Sequence, residues 1–389
     1  MKKILLIPFI LLFCGCNDYK ELNNIAIVSG LGVDKKNDQY KVSILVANSK
    51  SVDENNKEGS AGNVVYDASA STMAEALKEL DNIMPKQIYL GHLGVVVVSE
   101  EVAKEGIDNI TDYFFRNPET TKRFYLIMTR DKDKAGDVLK ILSPLESFPF
   151  QNIRLNIENS SSSGSISDNL TYSEFIEKYL KKGANPYIPT IKIYGKVKKG
   201  STTKTLESAD IKSYIGTQGL ALFKDSKFVG YANKDESRGI NIILGNANNI
   251  IIKNKRYEGN IVTVINDLKT KKILKFKNNK PYYDIKVKGT GDINEVTCDI
   301  DLYDELNIED IEKNIENNIK NLSISGINIA KKYGTDVFEF GNTLYKKYPK
   351  LFYKIDNWDE YFKDININIK VDIEIKNKGS IKQSIKAAK

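Results

Sequence analysis

Ile365-Asn366-Ile367-Asn368-Ile369-Lys370-Val371-Asp372-Ile373-Glu374-Ile375-Lys376 alternates between an aliphatic and a polar or charged residue over twelve positions. Successive side chains of a strand point to opposite faces, so a period of two predicts a strand with one buried face, as at a sheet edge. Val95-Val96-Val97-Val98 is the opposite case, an unbroken apolar run expected of a strand covered on both faces. Helical signals lie between them. Thr72 and Glu75 form a capping box ahead of Met73, Leu77, Leu80 and Met84, which share one helix face. Ile308, Ile311, Ile315, Ile319 and Leu322 recur at three- and four-residue spacing, the stripe of a long amphipathic helix. Both strand types mixed with such helices predict an α+β fold.

Working outward, Asn24–Val33 and Tyr40–Asn48 read as a hairpin across the turn residues 34–38, followed by a polar loop at 49–63 and a short strand at Val64–Tyr66. A helix is expected around Glu100–Phe115, a strand at Arg123–Met128 and a helix near Lys134–Leu142. Residues 143–149 read as a break, and the Ser/Gly run Ser160–Ser165 as flexible by composition. A helix at Tyr172–Lys182, a strand at Ile188–Val197 and a second hairpin, Gly219–Phe223 with Phe228–Tyr231, precede a helix at Glu236–Leu244. Strands at 250–252, 261–265, 273–276, 282–287 and 296–302 then lead to the long helix, and a further helix spans Asp336–Tyr348 before Pro349. This organisation predicts three mixed sheet-and-helix domains, at 24–145, 146–248 and 249–389.

The first fifteen residues read as a leader. Lys2 and Lys3 precede the apolar run Ile4–Phe13, which is too short to cross a bilayer but long enough for the core of a secretory signal. Gly15 before Cys16 resembles a bacterial lipoprotein box, in which the cysteine thiol is alkylated with diacylglycerol and becomes the first residue after cleavage. Cys14 is the poorer acceptor because bulky Phe13 precedes it. The expected parts are therefore a cleaved signal peptide at 1–15 and a lipidated Cys16 with a short tether at 16–23. Cleavage removes Lys2, Lys3 and Cys14 but no acidic residue, leaving 374 residues at a formal +5, against +7 for the whole chain. Cys298 would then be the sole free thiol, so no internal disulfide can form. The nine residues from Cys16 to Ile25 reach at most ~30 Å, which keeps the first domain close to the membrane. Hydrophobic residues at 41% and charged residues at 28% exclude wholesale disorder and a multi-span membrane protein.

A search for catalytic chemistry finds little. His92 is the single histidine; no nucleophile elbow accompanies it, and it is expected to be structural, at the start of a strand. Asp131-Lys132-Asp133-Lys134-Ala135-Gly136 begins like a calcium loop, but Ala135 and Leu142 occupy positions that need oxygen ligands. Gly30-Leu31-Gly32 lacks the third glycine of a dinucleotide site. The basic clusters Lys196–Lys204 and Lys269–Lys277 read as a loop and as a strand with a solvated face. A net charge this small gives no nucleic-acid footprint. Neither a cofactor nor a metal is expected.

The stretch Gly15-Cys16-Asn17-Asp18-Tyr19-Lys20-Glu21-Leu22, continuing Asn23-Asn24-Ile25-Ala26-Ile27-Val28-Ser29-Gly30-Leu31-Gly32-Val33-Asp34, resembles the start of the Ger(x)C spore germination lipoproteins. That family has Trp after the cysteine, then Arg-Glu-Leu and an Ala-Ile-Val-x-Gly-x-Gly-x-Asp strand; Asn17 and Lys20 depart from it here. Further agreements are Gly91-His92, Gly219–Lys224 with Val229-Gly230, and Asp336-Val337-Phe338-Glu339-Phe340-Gly341 leading to Leu344-Tyr345, Pro349 and Trp358. The resemblance implies a three-domain α+β fold without enzymatic activity. It implies the C subunit of a nutrient germinant receptor, lipid-anchored through Cys16 at the outer face of the spore inner membrane, beside a membrane-embedded A subunit and a transporter-like B subunit. It assigns no catalytic, cofactor-binding, metal-binding or nutrient-contacting residue. The alternative reading is a solute-binding lipoprotein of a transporter, which would need two parallel-sheet lobes and a hinge.

Overall fold

A computed structural model describes residues 21–47, 62–146, 148–256 and 259–379. The leader, Cys14, Cys16, most of the tether and nearly all of the polar loop lie outside the described residues. The first hairpin joins β1 (Ile25–Lys36) to β2 (Gln39–Ala47). Its turn is only Asn37-Asp38, with φ of 49° and 61°. Two left-handed residues suit the twist of a tight hairpin, and Asn and Asp tolerate that conformation. β1 therefore runs three residues past the expected Val33.

β3 (Asn63–Ala70) extends the hairpin, and α1 (Met73–Ile83) opens on the expected capping box, burying Met73, Ala76, Leu77 and Leu80. β4 (Gln87–Tyr89) and β5 (Val95–Val98) follow. The helix expected around Glu100–Phe115 is two, α2 (Glu100–Glu105) and α3 (Asp108–Arg116), because Gly106 turns the chain at φ 125°. β6 (Tyr125–Thr129) leads to α4 (Ala135–Val138), a single turn where a longer helix was expected. The stretch read as a break and a flexible run contains α5 (Pro149–Ser162). Pro149 at its first turn presets the helical φ, and Ile153 and Ile157, four residues apart, are fully buried. Packing outweighs the composition of the serine run. α6 (Tyr172–Leu180), β7 (Tyr187–Gly195), α7 (Val197–Gly200), β8 (Ser213–Lys224) and β9 (Lys227–Ala232) complete this part.

Among the described residues the strands form two sheets. The first has the order β3-β2-β1-β5-β6-β7-β8-β9, with β4 beside the start of β1. Its centre, β1-β5-β6-β7, is parallel and its flanks are antiparallel. All four valines of β5 are buried; Val96 and Val98 enter one core, Val95 and Val97 the other. β6 and β7 lie on either side of the expected 145/146 boundary yet pair directly, Met128 with Thr190. One sheet therefore spans the two stretches expected as separate sheet-and-helix domains.

After α8 (Lys234–Leu244), the second sheet has β10 (Ile250–Arg256), β11 (Gly259–Lys277) and β12 (Lys280–Val296). The strands expected at 261–265 and 273–276 are one, interrupted by a bulge between Asn266 and Lys269. The stretch 297–302 is not strand; Cys298, Ile300 and Leu302 are buried there as irregular chain. α9 (Glu305–Tyr333) crosses back, followed by α10 (Phe340–Lys347), α11 (Pro349–Phe352), α12 (Trp358–Asp364) and β13 (Asn366–Asn377). β13 pairs in parallel with β12 at the sheet edge, and its polar residues are exposed in alternation. β10, β11 and β12 are antiparallel, so the chain does not build the two parallel-sheet lobes of a solute-binding protein.

One core contains side chains of both sheets. α8 and α9 cross at Gly239 and Gly326: a Cβ on Gly239 would overlap the Leu322 carbonyl oxygen, and one on Gly326 would lie 2.5 Å from the Ile240 nitrogen. The two backbones touch, and no side chain fits between them. Gly239→Ala is therefore expected to destabilise the fold by about 2–3 kcal/mol, the usual cost of overpacking. Gly164→Ala, whose Cβ would have 3.7 Å to Ile166, should stay within about 0.5 kcal/mol. Urea unfolding of both variants beside the parent chain measures the difference.

Candidate functional site

The rare residues do not assemble. His92 lies in an exposed turn before β5, not at the strand start as expected, with its ring centre 5.7 Å from that of Tyr89. Cys298 is a free, buried thiol. Among the described residues no three His, Cys, Asp or Glu side chains gather to hold a metal. An open groove of about 660 Å³ lies beside α1 and α3 and is lined by Tyr40, Asn109, Asp112, Tyr113 and Arg116. Arg116 and Asp112 already pair with each other there at 2.9 Å.

Two constellations organise the motifs instead. In the first, Asp34 at the end of the apolar part of β1 is buried, and its two oxygens accept from the amides of Ala135 and Gly136, each at 2.9 Å. Burial raises its pKa, against the pull of those amides and of Lys134. A Cβ on Gly32 would lie 2.9 Å from the backbone of Ala135 and Gly136, so glycine is what lets α4 rest on β1. The run that begins like a calcium loop thus serves the backbone: Asp133 accepts from the Ile193 amide at 2.7 Å and holds β7. Spacing alone could not show this, because the partners are 60 to 102 residues apart.

The second lies where the two sheets meet. Asp336 has no exposed surface. Its Oδ2 accepts from the Gly341 amide at 2.7 Å and from Trp358 Nε1 at 3.0 Å, and its Oδ1 from the Phe338 amide at 3.2 Å. Its backbone pairs with Asn185 in both directions: the Asp336 amide donates to Asn185 Oδ1 at 2.8 Å, and its carbonyl accepts from the Asn185 amide at 3.0 Å. Gly341 packs backbone to backbone on Gly183, whose φ is 67°. These demands divert residues 336–339 from the helix expected to begin at Asp336, and α10 starts only at Phe340.

Side chains of both sheets close around this loop. Lys272 donates to the Phe338 carbonyl at 2.8 Å and Tyr283 to the Phe340 carbonyl at 2.5 Å. Lys272 is thus turned inward from a strand otherwise read as having a solvated basic face, and burial lowers its pKa. Glu339, left-handed at φ 63°, reaches Lys178 and Lys181 of the α6 region at 3.1 and 3.0 Å. Burial opposes its charge, but the two lysines hold its carboxyl below the ordinary value. With Asp336 sealed from solvent, this arrangement ties the loop to both sheets as a clamp.

The architecture matches the crystal structure of the GerBC protein with a TM-score of 0.57 at 18% identity, covering 92% of this chain and all of that one. Residues 18–193 match the spore germination protein N-terminal domain, and residues 218–379 the spore germination B3/GerAC-like C-terminal domain. Spore germination protein KC of Bacillus subtilis (strain 168) is 26% identical, over 98% of this chain and 97% of its own. Spore germination protein B3 of the same organism is 23% identical over 96% of both, and GerQC of Bacillus cereus 22% identical over 81% of this chain and 82% of its own. The fold is thus that of a mixed α+β protein of the GerBC type. The chain belongs to the Ger(x)C family of spore germination proteins.

Burial pushes the Asp336 carboxyl up to about 6, although the Gly341 amide, the Trp358 indole and Lys272 oppose the shift. A raised carboxylate pKa means that the folded state holds the proton more tightly. The cost of ionising Asp336 is absent below about pH 4 and grows to on the order of 3 kcal/mol by pH 7. Trp358 is the sole tryptophan and donates to this carboxylate, so its fluorescence should titrate with a midpoint near 6. In Asp336→Asn, an amide N–H₂ group confronts N–H donors. That titration should vanish, and in urea unfolding the variant should be less stable than the parent at about pH 4 by an amount that shrinks toward pH 7, because only the parent meets the cost of ionisation.

Proposed function

We propose that this chain is the lipid-anchored, non-catalytic C subunit of a spore nutrient germinant receptor. Diacylglycerol on Cys16 holds it to the outer face of the spore inner membrane, where it assembles with a membrane-embedded A subunit and a transporter-like B subunit. The observation that carries this reading is the end-to-end likeness to proteins named for spore germination, joined to the cysteine that follows the apolar leader. Among the described residues no helix is long and apolar enough to cross a membrane. Two acyl chains are enough for stable anchoring, where a single one binds only marginally.

The rigid build fits a positioning role. The clamp at Asp336 and the α8–α9 contact join both sheets into one core, which offers a partner a fixed shape.

Cys16→Ala should move the protein from the spore membrane fraction to the soluble fraction and slow germination on nutrients. Germination by a trigger that bypasses nutrient receptors should be unchanged. Full membrane retention with a normal nutrient response would end the anchoring claim. Cross-linking in intact spore membranes tests assembly separately: A- and B-type subunits should be recovered with this chain, and their absence would remove the receptor reading.

A further inference from the structure

β13 is an edge strand that is closed over only half its length. Outward from the sheet, the Ile375 amide donates to Glu312 at 2.8 Å and the Ile373 amide to Glu316 at 3.1 Å. These glutamates lie one turn apart on α9 and cap the edge. In a strand every second residue points its N–H and C=O to the same side, so Val371, Ile369 and Ile367 aim theirs outward as well. No described side chain or strand takes those amides. Val371, Ile373 and Ile375 are buried, whereas Ile367 and Ile369 are only partly so. Beside that half runs a groove of about 390 Å³, lined by Ile324, Ile327, Ile367 and Ile369 and flanked by Lys320 and Lys331. Ile324 is 38% exposed there.

The opposite face of the same half carries an excess of lysine over carboxylate. Lys271 pairs with Lys286, and Lys286 with Lys370, in the strand registers. The three exposed lysines form a row across β11, β12 and β13 that ends at the open edge. Like charges directly opposite each other are destabilising. The neighbouring Lys288 and Lys275 are paired with Asp372 and Asp284, at 2.7 and 2.6 Å; Lys370 and Lys286 act on those same carboxylates only from farther away, so three lysines share two carboxylates whose contacts are already taken.

We infer that the open half of β13 is a strand-addition site for an extended acidic segment of a partner protein. Its backbone pairs with residues 367–371, its apolar side chains enter the groove against Ile324 and Ile327, and the alternate carboxylates extend the lysine row beside Lys370. Main-chain bonds supply affinity and the alternating side chains supply specificity. A second copy of this chain would bring Lys370 and Lys376 along with Asp372 and Glu374, a face of mixed sign, where an acidic segment brings only the complementary charge. An anionic lipid surface would answer the lysines but has no N–H to donate to the outward carbonyls of Ile367 and Ile369. The inference stands apart from the germination reading.

The test uses the full chain in uncharged detergent and a fluorescent eight-residue peptide of alternating valine and glutamate. Fluorescence anisotropy should show saturable binding. The same peptide with lysine for glutamate, or with alternate amides N-methylated, should bind at least tenfold more weakly. Hydrogen exchange over residues 366–372 should slow on binding. Lys370→Glu should weaken binding about fivefold, as for an opposed surface pair. Ile369→Pro removes one outward N–H without touching the ladder to β12 and should abolish binding. A retained unfolding midpoint identifies that loss as local, and Lys370→Glu provides the reading if the proline variant unfolds. Absence of binding, equal binding of the lysine peptide, or binding unaffected by both variants overturns the inference. So does Lys370-dependent binding to vesicles containing phosphatidylglycerol without any binding of the peptide, which would assign the lysines to a lipid surface.

Discussion

A carboxylate with no access to water must be surrounded by donors, and Asp336 draws its donors from several parts of the chain. The Gly341 amide comes from the start of α10, the indole from α12 and the Phe338 amide from the loop itself, while the Asp336 backbone pairs with Asn185 from the segment ahead of β7. Bringing them together fixes the path of residues 336–341. That path places the Phe338 and Phe340 carbonyls within reach of Lys272 and Tyr283 on the second sheet. It also places Glu339 against Lys178 and Lys181, beyond the first sheet's β6. An unpaired buried charge would cost several kcal/mol. The donors offset that cost, and the loop they shape is held in turn by Asn185 ahead of the first sheet's β7 and by Lys272 and Tyr283 of the second sheet.

The residues that carry the family likeness acquire physical roles on this view. Gly30-x-Gly32-x-Asp34 is a place where α4 rests on β1 and is held by a carboxylate. Gly341 makes a backbone contact with Gly183. Gly230 lies under the ring of Tyr333. Such positions specify how closely the elements approach one another.

Local signals in the sequence were legible where a single element determines its own form. The capping box of α1, the buried valines of β5 and the alternation of β13 all appear in the structure. Failures occur where a distant partner decides. α5 has a weak apolar stripe and a serine-rich end, and only the sheet beneath Ile153 and Ile157 makes it a helix. Residues 336–339 follow a helical pattern but are drawn away by Asn185, about 150 residues earlier. The separation of the first two expected domains came from a composition break at 143–149, whereas strand pairing ignores that break and joins β6 to β7. The clamp itself was quoted as a string of residues, yet nothing local marks Asp336 as the one carboxylate of that string to be buried.

The position of β1 has a mechanical meaning. It is the first strand after the N-terminal tether, and it lies inside the sheet between β2 and β5, not at an edge. A pull on the N-terminus along the strand therefore loads the hydrogen bonds on both sides together, in shear. It cannot open them one at a time, as it would when peeling an edge strand. The end of the chain nearest the expected point of attachment enters the molecule through an interior strand, held by neighbours on both sides.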